Sequence, residues 1–338
     1  MLNDVKTDTP RYTVADRAPR SFRALCLRWE TLLALLLLAT VFVNSTLSPF
    51  FLDPYNLADS TFNFSEKALL ALGLTLIICA GEIDISVAAI MALASVCMGL
   101  LSLAGFGTPV LVLAGLAVGL ACGALNGFIV TGFGVPSVVV TIGTLSLFRG
   151  LTNVILGDGA ITQYPAGFGE LGQGYVFGII PIEFIVFLVL AAAFAFGLHR
   201  TRFGRNLYAI GNNAIAARYA GIPVQRYRMA LFMLSGLMAG LAAVLLTSRV
   251  GSTRPNIASG WELEAITMVV LGGVSINGGS GSVGGVVLAI LLLGMVTFGM
   301  SLLNVPGIIM TIFTGLLLIG AIAAPILIAR VSGQRRRV

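Results

Sequence analysis

Charge is what this chain has least of. Only 10% of its 338 residues are Asp, Glu, Lys or Arg, where a soluble domain carries roughly a quarter. That leaves too little polar surface to cover a water-soluble globule of this length. Histidine occurs once, at His199, so a histidine-based metal site or catalytic pair lacks its second member. Lysine occurs at Lys6 and Lys67 only, and neither follows a glycine-rich loop. The glycine-rich stretch 272–282 (GGVSINGGSGS) therefore is not a Walker A loop, which needs Lys followed by Ser or Thr. The four cysteines, Cys26, Cys79, Cys97 and Cys122, are widely spaced and form neither a disulfide framework nor a metal motif. No nucleophile stands beside a base, so the residues give no enzyme constellation.

What is present is apolar. Hydrophobic residues make up 57% of the chain and mean hydropathy is +1.00. Ten apolar runs fall near residues 31–50, 64–81, 86–104, 108–130, 136–156, 179–198, 228–248, 263–276, 283–303 and 306–328. A helix needs about 20 such residues to cross a bilayer. The chain reads as an all-α polytopic membrane protein of about ten transmembrane helices, with the runs at 64–81 and 263–276 short enough to be broken or re-entrant. Arginines crowd residues 11–28, 200–228 and 330–337. The positive-inside rule places those three segments in the cytoplasm, the protein in a plasma membrane, and both termini inside. These clusters lie at the ends of apolar runs, which fits membrane lipid rather than nucleic acid. The organisation expected is a cytoplasmic tail at 1–30, a membrane domain at 31–328 and a basic cytoplasmic tail at 329–338. The loops at 49–63 and 157–178 then face outward. So do Arg249 and Arg254, against the rule.

Two related halves are suggested by VPSVVVTI at 135–142 and VPGIIMTI at 305–312. The topology runs these helices in opposite directions, the arrangement that gives transporters two interchangeable faces. Residues 81–86 (GEIDIS) interrupt two apolar runs with Glu82 and Asp84, carboxylates that are costly inside a bilayer. They read either as a broken helix on a transport path or as a turn capping the next helix. Ser137, Thr141 and Thr144 share one helix face by spacing. With Asp84 and Asn126 they are the polar candidates for a translocation path, the alternative for the hydroxyls being bonds to their own helix. Gly115, Gly119, Gly123 and Gly127 recur every four residues and set one bare face for close helix packing, with Gly236 and Gly240 a shorter version.

The longest polar interruption is residues 199–228 (HRTRFGRNLYAIGNNAIAARYAGIPVQRYR), an island with six arginines and no acidic residue. It holds a short Ala-rich helix that Gly221 can end in a left-handed conformation, after which Pro223 prevents continuation.

Three of these motifs, GEIDISVAAIMALAS (81–95), GRNLYAIGNNAIAARYAGI (204–222) and VVLGGVSINGGSGSVGG (269–285), resemble the permease subunits of bacterial sugar ABC importers. The branch is that of ribose, xylose, rhamnose and autoinducer-2, and the likeness runs from about residue 31 to 328. It implies a non-catalytic subunit that passes a monosaccharide or related polyol across the membrane. Its implied partners are an ABC ATPase that holds the ATP and Mg, a periplasmic sugar-binding protein and a second permease chain, identical or paralogous. No cofactor is implied on this chain. The resemblance assigns the ATPase-coupling segment to Gly204, Arg205, Asn206, Gly211, Asn212, Ala216, Ala217, Arg218, Gly221 and Ile222, with Ala216, Ala217 and Gly221 in the family's Ala-Ala-x-x-x-Gly positions. Two positions depart from the family's Gly-Gly-Ile-Asp-Leu-Ser-Val-Gly: Glu82 stands for the second Gly and Ala88 for the last. The rival reading is an ion-coupled secondary sugar transporter using Glu82 and Asp84.

Overall fold

The computed structural model describes residues 29–331. The expected tails lie outside the described residues up to 28 and from 332 onward, as does Cys26. Helices α1 (Trp29–Leu47), α2 (Pro54–Ser60), α3 (Phe62–Cys79), α4 (Val87–Leu103), α5 (Thr108–Phe133) and α6 (Ser137–Leu156) come first. A loop with the short helix α7 (Glu170–Gln173) and a two-stranded hairpin, β1 (Tyr175–Val176) and β2 (Ile180–Pro181), leads into α8 (Ile182–Arg200). The island forms α9 (Arg202–Asn212) and α10 (Ala214–Tyr219). The chain closes with α11 (Val224–Val250), α12 (Trp261–Leu271), α13 (Val283–Leu302) and α14 (Gly307–Val331).

Among the described residues, seven helical stretches are long and apolar enough to cross a membrane: Trp29–Leu47, Pro54–Cys79, Thr108–Phe133, Ser137–Leu156, Ile182–Arg200, Val224–Val250 and Val283–Leu302. Two more, Val87–Leu103 and Gly307–Ala321, are apolar but shorter. The run at 64–81 is not short. Thr61 keeps α-helical dihedrals, so α2 and α3 form one stretch, started by Pro54 in the first turn and by the Asp53 carboxylate accepting from the amides of Tyr55 and Asn56. The run at 263–276 is short: α12 has 11 residues, about 16 Å of helix, half of what a bilayer core requires. Among the described residues, β structure is confined to this hairpin and a single bridge between Ile161 and Thr253; the extended residues of the hairpin flank Gly178, whose φ is 73°.

Helices α3 and α11 form the centre and α1 the rim. In the membrane-length windows 83% of the α3 stretch and 67% of α11 are buried, against 6% of α1. The largest interface joins α5 to α11. Gly115 packs on Val244 and Gly240, Gly119 on Gly236 and Gly240, Gly123 on Phe232 and Gly236, and Gly127 on Met229 and Phe232. The order of partners is reversed, so the helices run antiparallel. At Gly119, Gly123 and Gly236 the nearest neighbours are backbone atoms of the facing helix. The apolar medium gives no hydrophobic drive between helices, so this close backbone contact supplies van der Waals attraction in its place.

Elements recur along the chain at one spacing. Left-handed Gly81 follows α3 and left-handed Gly251 follows α11 (φ 79° and 61°). Each introduces a non-helical stretch and then a short helix. Left-handed Gly134 and Asn304 (φ 69° and 56°) each precede Val-Pro and the start of α6 or α14.

Arg249 owes its position to burial of a different kind. Its Nε lies 2.7 Å from Glu66 and 4.0 Å from Glu183, both carboxylates fully buried. A fixed ion pair, rather than loop charge, decides where this arginine sits. Arg149 likewise serves structure, donating to the carbonyls of Pro255 and Ile257 across the end of the bundle.

The glycine seam yields a prediction. Gly119→Ala puts a methyl group into the backbone of α11, whereas Gly143 has nothing within 4 Å. Thermal unfolding in detergent should show a loss of about 2–3 kcal/mol for Gly119→Ala and none for Gly143→Ala. Equal behaviour of the two would remove the seam's role.

Candidate functional site

The island folds onto one end of the bundle. Thr201 caps α9, accepting from the Gly204 amide, and the helix buries Gly204, Leu207 and Ile210. Gly204 lies against the carbonyl of Leu198, and Gly211 against the Cys79 carbonyl and the Gly279 amide, so neither position has room for a side chain. Asn206 donates to the Tyr227 hydroxyl at 2.7 Å, and Asn212 to the carbonyls of Tyr208 and Gly279. Tyr208 donates to the Gly281 carbonyl. Burial, with a smaller contribution from Cys79, pushes its phenol up to about 12, which keeps it a donor at neutral pH. Arg205 is exposed.

The short Ala-rich helix expected in the island is α10, six residues long. Asn213 is extended (φ −162°, ψ 100°) and its side chain accepts from Ala216 N, so α9 stops and α10 starts afresh. Asparagine competes for local backbone bonds, which is why it breaks the run here. At the other end the amides of Ile222 and Gly221 donate to the carbonyls of Ala217 and Arg218 with Gly221 at φ 84°, a Schellman stop. Gly221 has open space around it, so its requirement is conformational. Only Ala217 of α10 is buried; Ala216 and Arg218 face solvent. Ile215 and Tyr219, four residues apart, are 71% and 91% exposed. The sequence offered no signal for them, because apolar residues in a chain this apolar attract no notice until their neighbours are known.

Beneath the island lies the interruption at 81–86. It is a non-helical stretch between α3 and α4 whose backbone runs into the bundle. Asp84 is fully buried. Its Oδ1 accepts from the Ser86 amide and hydroxyl at 3.0 and 2.6 Å, and its Oδ2 from Ser235 at 2.9 Å. Asn126 donates to Ser86 at 2.8 Å, leaving its buried Oδ1 without a partner. From α6, Ser137 accepts from the Ile83 amide at 3.2 Å and Thr141 donates to the Ile83 carbonyl at 3.4 Å. Four of the five polar candidates, Asp84, Asn126, Ser137 and Thr141, therefore converge on one broken segment. Thr144 is buried one turn further and bonds only to the Thr141 carbonyl of its own helix. Ser86, the last residue of the capping turn read from the sequence, and Ser235, which the sequence did not single out, complete the cluster.

Glu82 has its own answer. Its carboxylate lies 2.7 Å from Arg228 Nε in the second turn of α11, with 9% of the side chain exposed. The residue that departs from the family pattern thus joins the break to the end of the island. Island and break also meet through the glycine-rich loop: the Gly279 amide donates to the Cys79 carbonyl at 2.9 Å, and Gly278 abuts both Gly81 and Gly211. Helix α9, the turn at Gly81 and the glycine-rich loop form one joint.

Comparison with known proteins adds to this geometry. Residues 56–322 match the family described as branched-chain amino acid transport system / permease component. The chain is 36% identical over 297 residues to the autoinducer 2 import system permease protein LsrD of Escherichia coli O9:H4 (strain HS). The same protein of Escherichia coli (strain K12) and of Shigella flexneri matches equally; each alignment covers 86% of this chain and 90% of the relative. No solved structure matches.

The joint is testable through its ion pair. Arg228→Ala leaves Glu82 charged and largely buried, and should cost about 3 kcal/mol in unfolding measurements. Adding Glu82→Gln should restore most of that. A single variant as stable as the parent would show that the pair holds nothing together.

Proposed function

This chain belongs to the branched-chain amino acid transport system / permease component family and is a membrane permease; we propose that it forms the path of an ABC importer for a small neutral polyol, driven by a separate ATPase that docks on α10. The docking surface carries the reading. A six-residue helix seated on the end of the bundle by Ala217, with Ile215 and Tyr219 exposed on it and a fixed glycine stop, has an apolar face that none of the described residues covers. Behind it, Gly211 and Asn212 touch the break and the glycine-rich loop. A push on α10 therefore has a rigid route to Asp84.

The cargo class rests on the relatives and on the chemistry of the break. The aligned relatives are autoinducer 2 import permeases. The groups gathered at the break are hydroxyls and an amide, suited to a molecule that both donates and accepts hydrogen bonds. Ten passes, two inverted halves, cytoplasmic termini, a periplasmic binding protein, a second permease chain and nucleotide held only by the ATPase complete the proposal. The recurrence of left-handed turns and Val-Pro starts supports the halves. The ion-coupled alternative was drawn from Glu82 and Asp84, whereas Glu82 is paired with Arg228 and Asp84 accepts three hydrogen bonds.

Purification from native membranes in mild detergent should recover an ATPase carrying Walker motifs. Replacing Ile215 and Tyr219 with Ala, or Gly221 with Val at its left-handed φ, should abolish that recovery and lower autoinducer 2 uptake at least about tenfold, as loss of anchor residues does at interfaces. Unchanged recovery and uptake in both variants would reject α10 as the docking element.

A further inference from the structure

A second polar site lies at the opposite end of the bundle from the island. A cavity of about 560 Å³ opens between the start of α3, the end of α11, α12, α13 and α14, within the size range of small-molecule sites, roughly 300–1,000 Å³. Resting on the importer reading, we propose that this cavity is a waystation that holds one neutral polyhydroxylated cargo molecule before it reaches the break at Asp84.

The lining argues for that class of ligand. Lys67 sits 4.9 Å over the ring of Trp261 and pairs with Glu264. Arg249, also on the wall, is engaged by Glu66. Every charge on the described residues of the cavity wall is therefore matched inside the protein. An anion or a zwitterion entering it finds no unspent cation and would have to break one of these pairs, leaving a partner charge stranded. Four of the six lining hydroxyls are different. Thr267 donates to the Leu263 carbonyl, Thr297 to Leu293, Thr311 to Gly307 and Thr314 to Thr311. Each donor is spent on its own helix, so each oxygen is left as an acceptor. A polyol supplies the donors such oxygens lack, and the Trp261 ring offers an apolar face to the carbon side of the same molecule.

The second line of support is positional. Thr311 and Thr314 follow Pro306 at the same intervals at which Thr141 and Thr144 follow Pro136. In the first half the hydroxyl face of α6 is closed: Ser137 and Thr141 bond to the backbone of Ile83. In the second half the position corresponding to Ser137 is Gly307, which lines the cavity and has nothing within 4 Å. The stretch that corresponds to 81–86 is drawn elsewhere, with Thr253 bonded to Ser95 and Tyr164. One hydroxyl face is thus filled by the chain itself, and its counterpart at the other end of the bundle is open to a ligand of similar hydrogen-bonding character.

The test uses the full chain in its membrane with Cys26, Cys79, Cys97 and Cys122 changed to Ala. Thr314→Cys reports on the cavity through its rate of alkylation by N-ethylmaleimide, and Thr297→Cys is a second reporter should the first not assemble. Ribose, rhamnose and mannitol serve as neutral probes and leucine as a zwitterion of similar size. At least one polyol should slow alkylation saturably and leucine should not. Adding Trp261→Ala should raise the protecting concentration by about tenfold, the worth of a lost aromatic face. Protection by leucine instead, or no protection by any polyol up to about 100 mM, far above a millimolar affinity, overturns the proposal. No ATPase is needed for this measurement. Polyol protection in a chain that recovers no ATPase would reject the importer reading and leave the cavity site standing.

Discussion

The close approach of α5 and α11 is the constraint on which the rest depends. Gly119, Gly123 and Gly236 bring two backbones together where any side chain would hold them apart. In an apolar medium that contact carries what the hydrophobic effect carries in water. It also fixes positions. Asn126 stands one residue before Gly127 on α5, and Ser235 one residue before Gly236 on α11. Both reach the broken segment, one through Ser86 and the other through Asp84. The polar groups of the break are thus held by residues that flank the seam.

That arrangement answers the cost of placing a carboxylate and an unwound backbone among apolar helices. Irregular backbone is tolerated at such depth when protein surrounds it and supplies its hydrogen bonds. Asp84 accepts from three donors, and Ile83 has partners for both its amide and its carbonyl. The break is therefore rigid at rest, and its outer end is tied to the island by Glu82 and Arg228 and by the glycine contacts at Gly81, Gly211 and Gly278. Packed backbone thus runs without interruption from Gly211, just before α10, to the turn that opens the break.

Much of this was legible in the sequence, for identifiable reasons. Glycine every fourth residue along 115–127 has no cause in an apolar run other than close packing, and Gly236 and Gly240 share the pattern. Asp84 and Asn126 stood out because polar groups are rare among their neighbours. Other features were hidden. Ile215 and Tyr219 are exposed, yet nothing separates them by type from the residues that face lipid or core. The continuity of α2 into α3 turns on the dihedrals of Thr61. The cavity draws its hydroxyls and charges from α3, α11, α12, α13 and α14, so no window of sequence contains it. Arg249, anomalous by loop charge, became intelligible only beside Glu66 and Glu183.

The account ties the seam to the break, and amide hydrogen exchange across residues 81–86 is the measurement that tests this most directly. Exchange should be compared between the parent chain and Gly123→Ala, whose added methyl falls on the Phe232 carbonyl and forces the helices apart. The account predicts faster exchange at Ile83 and Ser86, together with the turns of α11 around Ser235. Faster exchange confined to α5 and α11, with the amides of Ile83 and Ser86 protected as before, would contradict it.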